Sequence, residues 1–206
     1  MKKTLIMVAA ILALSACASS GPPPPPTFID ATATTLSAPP ADKAQIIFLQ
    51  PKNLMMPLAA VGIYDVTDSD MTLLSMLPTH SKSVHLVTPG AHRFMAGYGA
   101  YNYLMDANVE AGKRYYVVAR FIYGMGFQLR PIRTSGKAGF SVENPDFAGW
   151  VSKTRFVEKS PEADLLHAKY KVGNETAKAA AIADLLKKTP EQRAELTLNK
   201  EDAIAQ

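Results

Sequence analysis

Three histidines, His80, His85 and His92, fall close enough together to share a metal ion. In a hairpin turning at Pro89-Gly90, His85 and His92 would be diagonal neighbours on one face, whereas a register shifted by one residue would separate them. No H-E-x-x-H run or paired cysteines accompany them. Half-exposed strand histidines are therefore the expectation, with no metal and no other cofactor. Asp65, Asp68 and Asp70 begin like a calcium loop but lack its glycine and closing glutamate at the required spacing, so a hairpin turn accounts for them. Neither a glycine-flanked serine elbow nor a phosphate-cradling glycine loop occurs. The chain is accordingly read as a non-enzyme. A small enzyme or metal-binding protein with a site near His85 and His92 is the alternative.

Two other groupings suit binding better than catalysis. Tyr98, Tyr101 and Tyr103 stand in a stretch loosened by Gly97 and Gly99, where a loop could stack aromatic rings on a sugar or another protein. Lys113, Arg114, Arg120, Arg130, Arg133 and Lys137 lie between Glu110 and Glu143 with no acid among them. Anionic lipid, glycan or an acidic patch on an envelope protein are the partners such a face implies. A three-residue loop after Tyr123 would pair Phe121 with Leu129 and set Arg120 directly opposite Arg130. Paired guanidinium groups make a fork suited to phosphate or carboxylate.

These residues need strands to position them. From Ala44 to about Arg133, short apolar runs alternate with Pro, Gly and Asp-Ser punctuation, which reads as eight strands. They lie near Ile46 to Leu49, Val61 to Val66, Thr72 to Leu77, Val84 to Val87, His92 to Ala96, Leu104 to Val109, Arg114 to Tyr123 and Phe127 to Ile132. Eight short strands without intervening helices suggest a sandwich or barrel, with an antiparallel β-sandwich the expectation. Past Trp150 the period changes. Ser160 and Pro161 open a helix, Leu165, Val172, Ala179 and Leu186 fall on one stripe, Gly173-Asn174 is a candidate break, and Thr189-Pro190-Glu191-Gln192 reads as a capping box.

The first residues follow another pattern. Met1-Lys2-Lys3 precedes an uncharged, largely apolar run from Thr4 to Ala16, too short to span a bilayer, where roughly 20 apolar residues are needed. Leu14-Ser15-Ala16-Cys17 resembles the lipobox of bacterial lipoproteins. The resemblance implies cleavage before Cys17, a diacylglyceryl thioether and an amide-linked acyl chain such as palmitate on that residue, and residence in a membrane. Ala18, where inner-membrane members of that family usually carry aspartate, points to the outer membrane, facing the periplasm. Cys17 is the only cysteine, so no internal disulfide competes for it. Pro22 to Pro26 and Pro39-Pro40 mark a stalk unable to build a core. The formal charge of +4 includes Lys2 and Lys3, so the chain from Cys17 onward is less basic than the whole. Nucleic acid is not an expected partner.

Thr88-Pro89-Gly90-Ala91-His92 and Val109-Glu110-Ala111-Gly112-Lys113-Arg114-Tyr115-Tyr116-Val117 resemble segments of uncharacterised lipoproteins with a small β-sandwich of unknown function. The expectation is thus a mainly β protein in four parts: a signal peptide at 1–16, a lipidated cysteine and disordered linker at 17–43, a β-sandwich at 44–140, and a C-terminal α-helical segment at 141–206. Its function would be that of a binding or structural module of the envelope, membrane-bound through Cys17, with Arg114, Arg120, Arg130, Tyr98, Tyr101 and Tyr103 as contact residues.

Overall fold

Ile46-Ile47-Phe48-Leu49 contains no polar position, the signature of a strand covered on both faces. In the computed structural model, which describes residues 25–136 and 139–205, all seven residues of this strand are buried. It is β2 (Ala44–Gln50). Before it comes β1 (Phe28–Asp30); after it come β3 (Ala60–Asp65), β4 (Thr72–Pro78), β5 (Ser81–Val87), β6 (Gly90–Tyr98), β7 (Tyr101–Val109), β8 (Arg114–Ile122) and β9 (Gly126–Pro131). The eight expected strands are all present. β10 (Arg155–Lys159) and β11 (Thr197–Leu198) add to them, with helices α1 (Phe147–Lys153), α2 (Pro161–Lys169), α3 (Lys171–Leu186) and α4 (Pro190–Glu195).

The strands form two stacked sheets, β1-β10-β5-β2-β8-β9 and β11-β7-β6-β3-β4. The mainly β sandwich with a C-terminal helical segment is what the pattern predicted. Most pairings are antiparallel, but β2 runs parallel to β8, β10 to β5 and β11 to β7, so both sheets are mixed. Their inner faces meet through Ile46, Phe48, Ile63, Phe94, Met105 and Tyr115, all with no exposed surface. Phe48 and Phe94 touch edge to face across this core at 5.4 Å.

Each sheet is also covered outside. Phe147, Trp150 and Val151 of α1 lie over Ile47, Leu49, Tyr116 and Val118 on the first sheet. That is why Tyr116 and Val118, on the outer side of β8, are buried. Lys82 reaches the same layer and donates to the Val151 carbonyl, in the last turn of α1 where cations suit the helix dipole. On the second sheet, Ala181 and Leu185 of α3 pack against Val66, Met71, Met95 and Leu104.

Several boundaries move. β1 lies inside the segment expected to be disordered linker, and the 141–206 region supplies β10 and β11 as well as helices, so both flanking segments belong to the sandwich. Pro89-Gly90 does not close a hairpin: β5 belongs to the first sheet and β6 to the second, and the turn carries the chain between layers. The helical stripe has a different phase from that expected. Leu165, Val172 and Leu186 are exposed, while Ala163, Ala181 and Leu185 are buried. Tyr170 (φ −102°, ψ 17°) separates α2 from α3, upstream of the break expected at Gly173-Asn174. The Thr189–Gln192 capping box forms as read, with both reciprocal hydrogen bonds.

Candidate functional site

The histidines do not converge. His85, on β5, packs on Phe48 at 5.8 Å and meets the Ser83 hydroxyl at 3.1 Å. His92, on β6, lies 3.6 Å from the Asp65 carboxylate, and its Nε2 bonds the Thr88 carbonyl at 2.8 Å. Asp65 also accepts from the Thr67 amide at 2.9 Å, which makes it a turn-forming residue. Among the described residues, no group of three or more His, Cys, Asp or Glu is placed to hold a metal.

The two imidazoles are tuned in opposite directions. Burial, reinforced by the Lys159 charge, lowers His85 to about 4; the hydrogen bond that His92 donates to the Asp65 carboxylate raises His92. A group depressed from about 6.5 to about 4 favours the fold above pH 6.5 and forfeits that preference as pH falls toward 4. The loss amounts to about 3 kcal/mol. His85→Gln should flatten that part of the stability curve, measured by urea unfolding at pH 7 and pH 4.5. His92→Gln should instead leave the acid limb steeper, because protonated His92 stabilises the fold below its unfolded pKa.

The arginines occupy three different settings. Arg114 is buried, donating from Nε to Gln45 at 2.6 Å and from a terminal nitrogen to the Ser37 carbonyl. It fastens the incoming chain. Arg120 and Arg130 are not opposite each other: Arg120 pairs with Gln128 and Val118 with Arg130. The three-residue loop is 123–125, one position earlier than expected, with Met125 N bonded to the Ile122 carbonyl. Both guanidinium groups instead lie against Phe140, at 5.5 and 5.1 Å, and Arg130 pairs with Glu195 at 3.0 Å. The anion fork expected from direct opposition does not form.

The tyrosines lie on strands. Tyr98 ends β6 and Tyr101 begins β7, directly paired across a two-residue turn in which Gly99 takes φ +58°. Tyr98 packs edge to face on Phe127 at 5.3 Å, Tyr101 is exposed, and Tyr103 is half-buried. A Cβ on Gly126 would stand 2.6 Å from Tyr101 Cβ, so this turn abuts the β8–β9 turn. The β2–β3 connection opens from the same end, because β2 and β8 are parallel. Together these loops expose Leu54, Met55, Leu58, Tyr101, Tyr123 and Met125, with Leu58 95% and Tyr123 81% accessible. Exposed apolar side chains thus gather on the loops at this end of the sandwich.

A second concavity escaped the sequence reading. A cleft of about 590 Å³ separates the outer face of β3, β4 and β6 from α2 and the first turns of α3. Gly62 and Gly97 are cross-strand partners, flanked in the same row by Met76 and Asn102. Their missing side chains make the floor. A Cβ on Gly62 would meet the Tyr64 ring and hydroxyl at 2.7 Å, and one on Gly97 would meet Asn102 Oδ1 at 2.9 Å. The phenol thus lies flat over the glycines, and burial raises its pKa, keeping the hydroxyl protonated. Above it stands His167, 5.6 Å away between ring centroids. Its Nε2 donates to the Met71 carbonyl at 3.1 Å and its Nδ1 faces the Asn174 amide nitrogen at 3.2 Å, an arrangement satisfied by the tautomer with its proton on Nε2. The available signal was Gly62 inside an expected strand, which marks a close approach; Gly97 lay just beyond the expected His92 to Ala96 strand.

No protein-family model matches the chain, and no curated protein matches it either.

Proposed function

We propose that this chain is a bacterial envelope lipoprotein, cleaved before Cys17, acylated there, and tethered to the outer membrane as a non-catalytic binding module. Cys17 and the leader lie outside the described residues, and Leu14-Ser15-Ala16-Cys17 after its apolar run is the observation that carries the proposal. Among the described residues, no helix is long and apolar enough to cross a membrane. The fold supplies a compatible polarity. Phe28 pairs with Lys159, four residues beyond Arg155, which pairs with Ser81 beside Gln50. The chain therefore enters β1 on the Ala44 side, away from the end that bears Leu54, Leu58 and Tyr123. A tether from Cys17 would reach one end of the sandwich and leave the apolar loops at the other.

A binding role is further supported by how the ionisable groups are used. His92 is engaged with Asp65, Arg114 with Gln45 and Arg130 with Glu195, each in a separate part of the fold. Three acyl groups would hold the protein stably, since two hydrophobic anchors already suffice. Cys17→Ser should abolish incorporation of radiolabelled palmitate and leave the precursor at its uncleaved mass, read by gel autoradiography and intact mass spectrometry. Equal labelling of wild type and variant would overturn the lipoprotein assignment.

A further inference from the structure

We infer that the cleft between the β2–β3 connection, β8 and α1 binds one acyl chain carrying an anionic head, as a long-chain fatty acid does. This deepens the binding-module reading by giving it a ligand class, and it rests on that reading only in taking the domain to hold its ligand unchanged.

The lining selects the ligand by what it leaves unused. The cleft has a volume of about 680 Å³, and its apolar walls come from Leu54, Met55, Phe121, Phe127, Phe140 and Trp150. Three carboxamides stand among them, and each already bonds the chain's own backbone. Gln50 donates from Nε2 to the Ala59 carbonyl at 3.3 Å, and Asn53 Oδ1 accepts from the Met55 amide at 2.9 Å. Asn144 donates to the Gly139 carbonyl and accepts from the Asp146 amide at 2.9 Å. A sugar or a peptide backbone would bury many uncharged polar groups against walls with few partners left for them, which is costly. An alkyl chain needs only apolar surface, and each methylene it buries adds to binding. It follows an irregular wall, so no single ring face has to be open.

The charge along the cleft has one sign. Lys52 and Arg120 line it, and no described Asp or Glu does. Both cations are exposed, and neither is paired with a carboxylate among the described residues, whereas Arg130 on the neighbouring strand takes Glu195. The Arg120 guanidinium lies 5.5 Å from the centre of the Phe140 ring, which places this cation at the apolar wall. Because β2 and β8 are parallel, with Leu49 beside Val118, Lys52 and Arg120 leave the first sheet at the same end. An anion there keeps contact with water, so its charge is met by two cations without being buried. A wholly apolar ligand would suit the walls and leave both cations unanswered; an anionic chain end answers them. Leu58, Tyr123 and Met125, exposed at the same end of the sandwich, give the site apolar surroundings. The volume falls within the range of small-ligand sites.

Trp150 is the only tryptophan in the chain and it lines the cleft, so its fluorescence reads occupancy directly. The full chain is reconstituted in phosphatidylcholine nanodiscs and titrated with stearate brominated at mid-chain, whose bromines quench an indole on contact. The methyl ester of the same acid supplies the chain without the charge, and bromobutyrate the charge without the chain, with amounts compared as mole fraction of the lipid. Quenching by brominated stearate should saturate; the ester should need at least roughly tenfold more, and bromobutyrate should leave the emission unchanged. Lys52→Gln/Arg120→Gln should weaken the acid roughly tenfold and leave the ester where it was. Leu54→Glu/Met55→Glu, at positions 81% and 62% exposed, should weaken acid and ester alike by at least about fivefold. Thermal melts establish that each variant folds, and Arg120→Gln alone replaces the first double variant if that one melts without cooperativity. The inference is overturned if brominated stearate quenches Trp150 no better than its ester does, or if the folded variants are quenched as the wild type is. It is overturned equally if nanodiscs of brominated phosphatidylcholine alone quench as strongly, since Trp150 would then be reading the bilayer. None of these results bears on acylation, which the Cys17→Ser labelling reads separately.

Discussion

Leu185→Asp should lower the stability of the fold by about 4 kcal/mol, while Leu186→Asp, one residue further along the same helix, should change it by less than about 0.5 kcal/mol. Leu185 is 5% exposed and packed among Val66, Met95 and Leu104, whereas Leu186 is 70% exposed. The first substitution removes a buried isobutyl group worth roughly 2 kcal/mol and forces a carboxylate into an apolar layer. For a chain of this size the melting temperature should fall by about 10 °C, against little or no change for the neighbour. Paired thermal melts decide it. Equal effects would mean that α3 presents another face to the second sheet, and the cleft beside it would then have no fixed roof.

Arg133→Ala should cost about 3 kcal/mol and release the chain beyond α4. Its guanidinium bonds the Asp202 carboxylate, the Thr197 carbonyl at 2.8 Å and the Ala194 carbonyl at 2.9 Å, joining the end of α4, β11 and the final turn at one point. The Asp202 side chain is only 8% exposed, so removing its partner strands a buried charge. Arg133→Lys should recover only part of the loss, because an ammonium cannot direct parallel donors at three acceptors. Amide exchange reads the consequence: protection at Asp106, whose amide bonds the Leu196 carbonyl at 3.1 Å, should drop in the alanine variant more than protection within β2. An unaltered exchange pattern would show that Leu196 and Leu198 hold the terminus by packing alone.

The strands were legible because each carries its own period. β2 read as a strand from four consecutive apolar residues, and in β8 the alternation of Tyr115, Val117, Ala119 and Phe121 marks the inner face. What escaped was set by contacts between distant residues. The β8–β9 register missed by two because Gly126, expected within the loop, sits in β9 at φ +79°, where its bare Cα admits Tyr101. Both registers keep the same faces, so the inner side was right while the partners were wrong. The cleft was harder to see. Tyr64 and His167 are far apart in sequence, and the fold brings their rings to 5.6 Å between centroids. Ser160 shows the same limit: it occupies the N-cap position as read, yet its hydroxyl bonds the Pro26 carbonyl rather than its own helix.

The way the chain enters the sandwich also determines how the domain carries a mechanical load. Tension arriving along the proline run acts first on β1, three residues held to β10 and braced by Ser160 on Thr27 at 3.1 Å and by Arg155 on both Asp30 and the Phe28 ring. The pull lies along the strand, so these attachments are sheared together rather than unzipped in turn. Once they yield, the connection from Ala31 to Lys43 pays out as slack, with Leu36 and the Arg114–Ser37 bond resisting next. The force then reaches β2, hydrogen-bonded on both edges and buried on both faces. With a tether at Cys17 as proposed, β1 would take the load before the doubly covered strand β2 does.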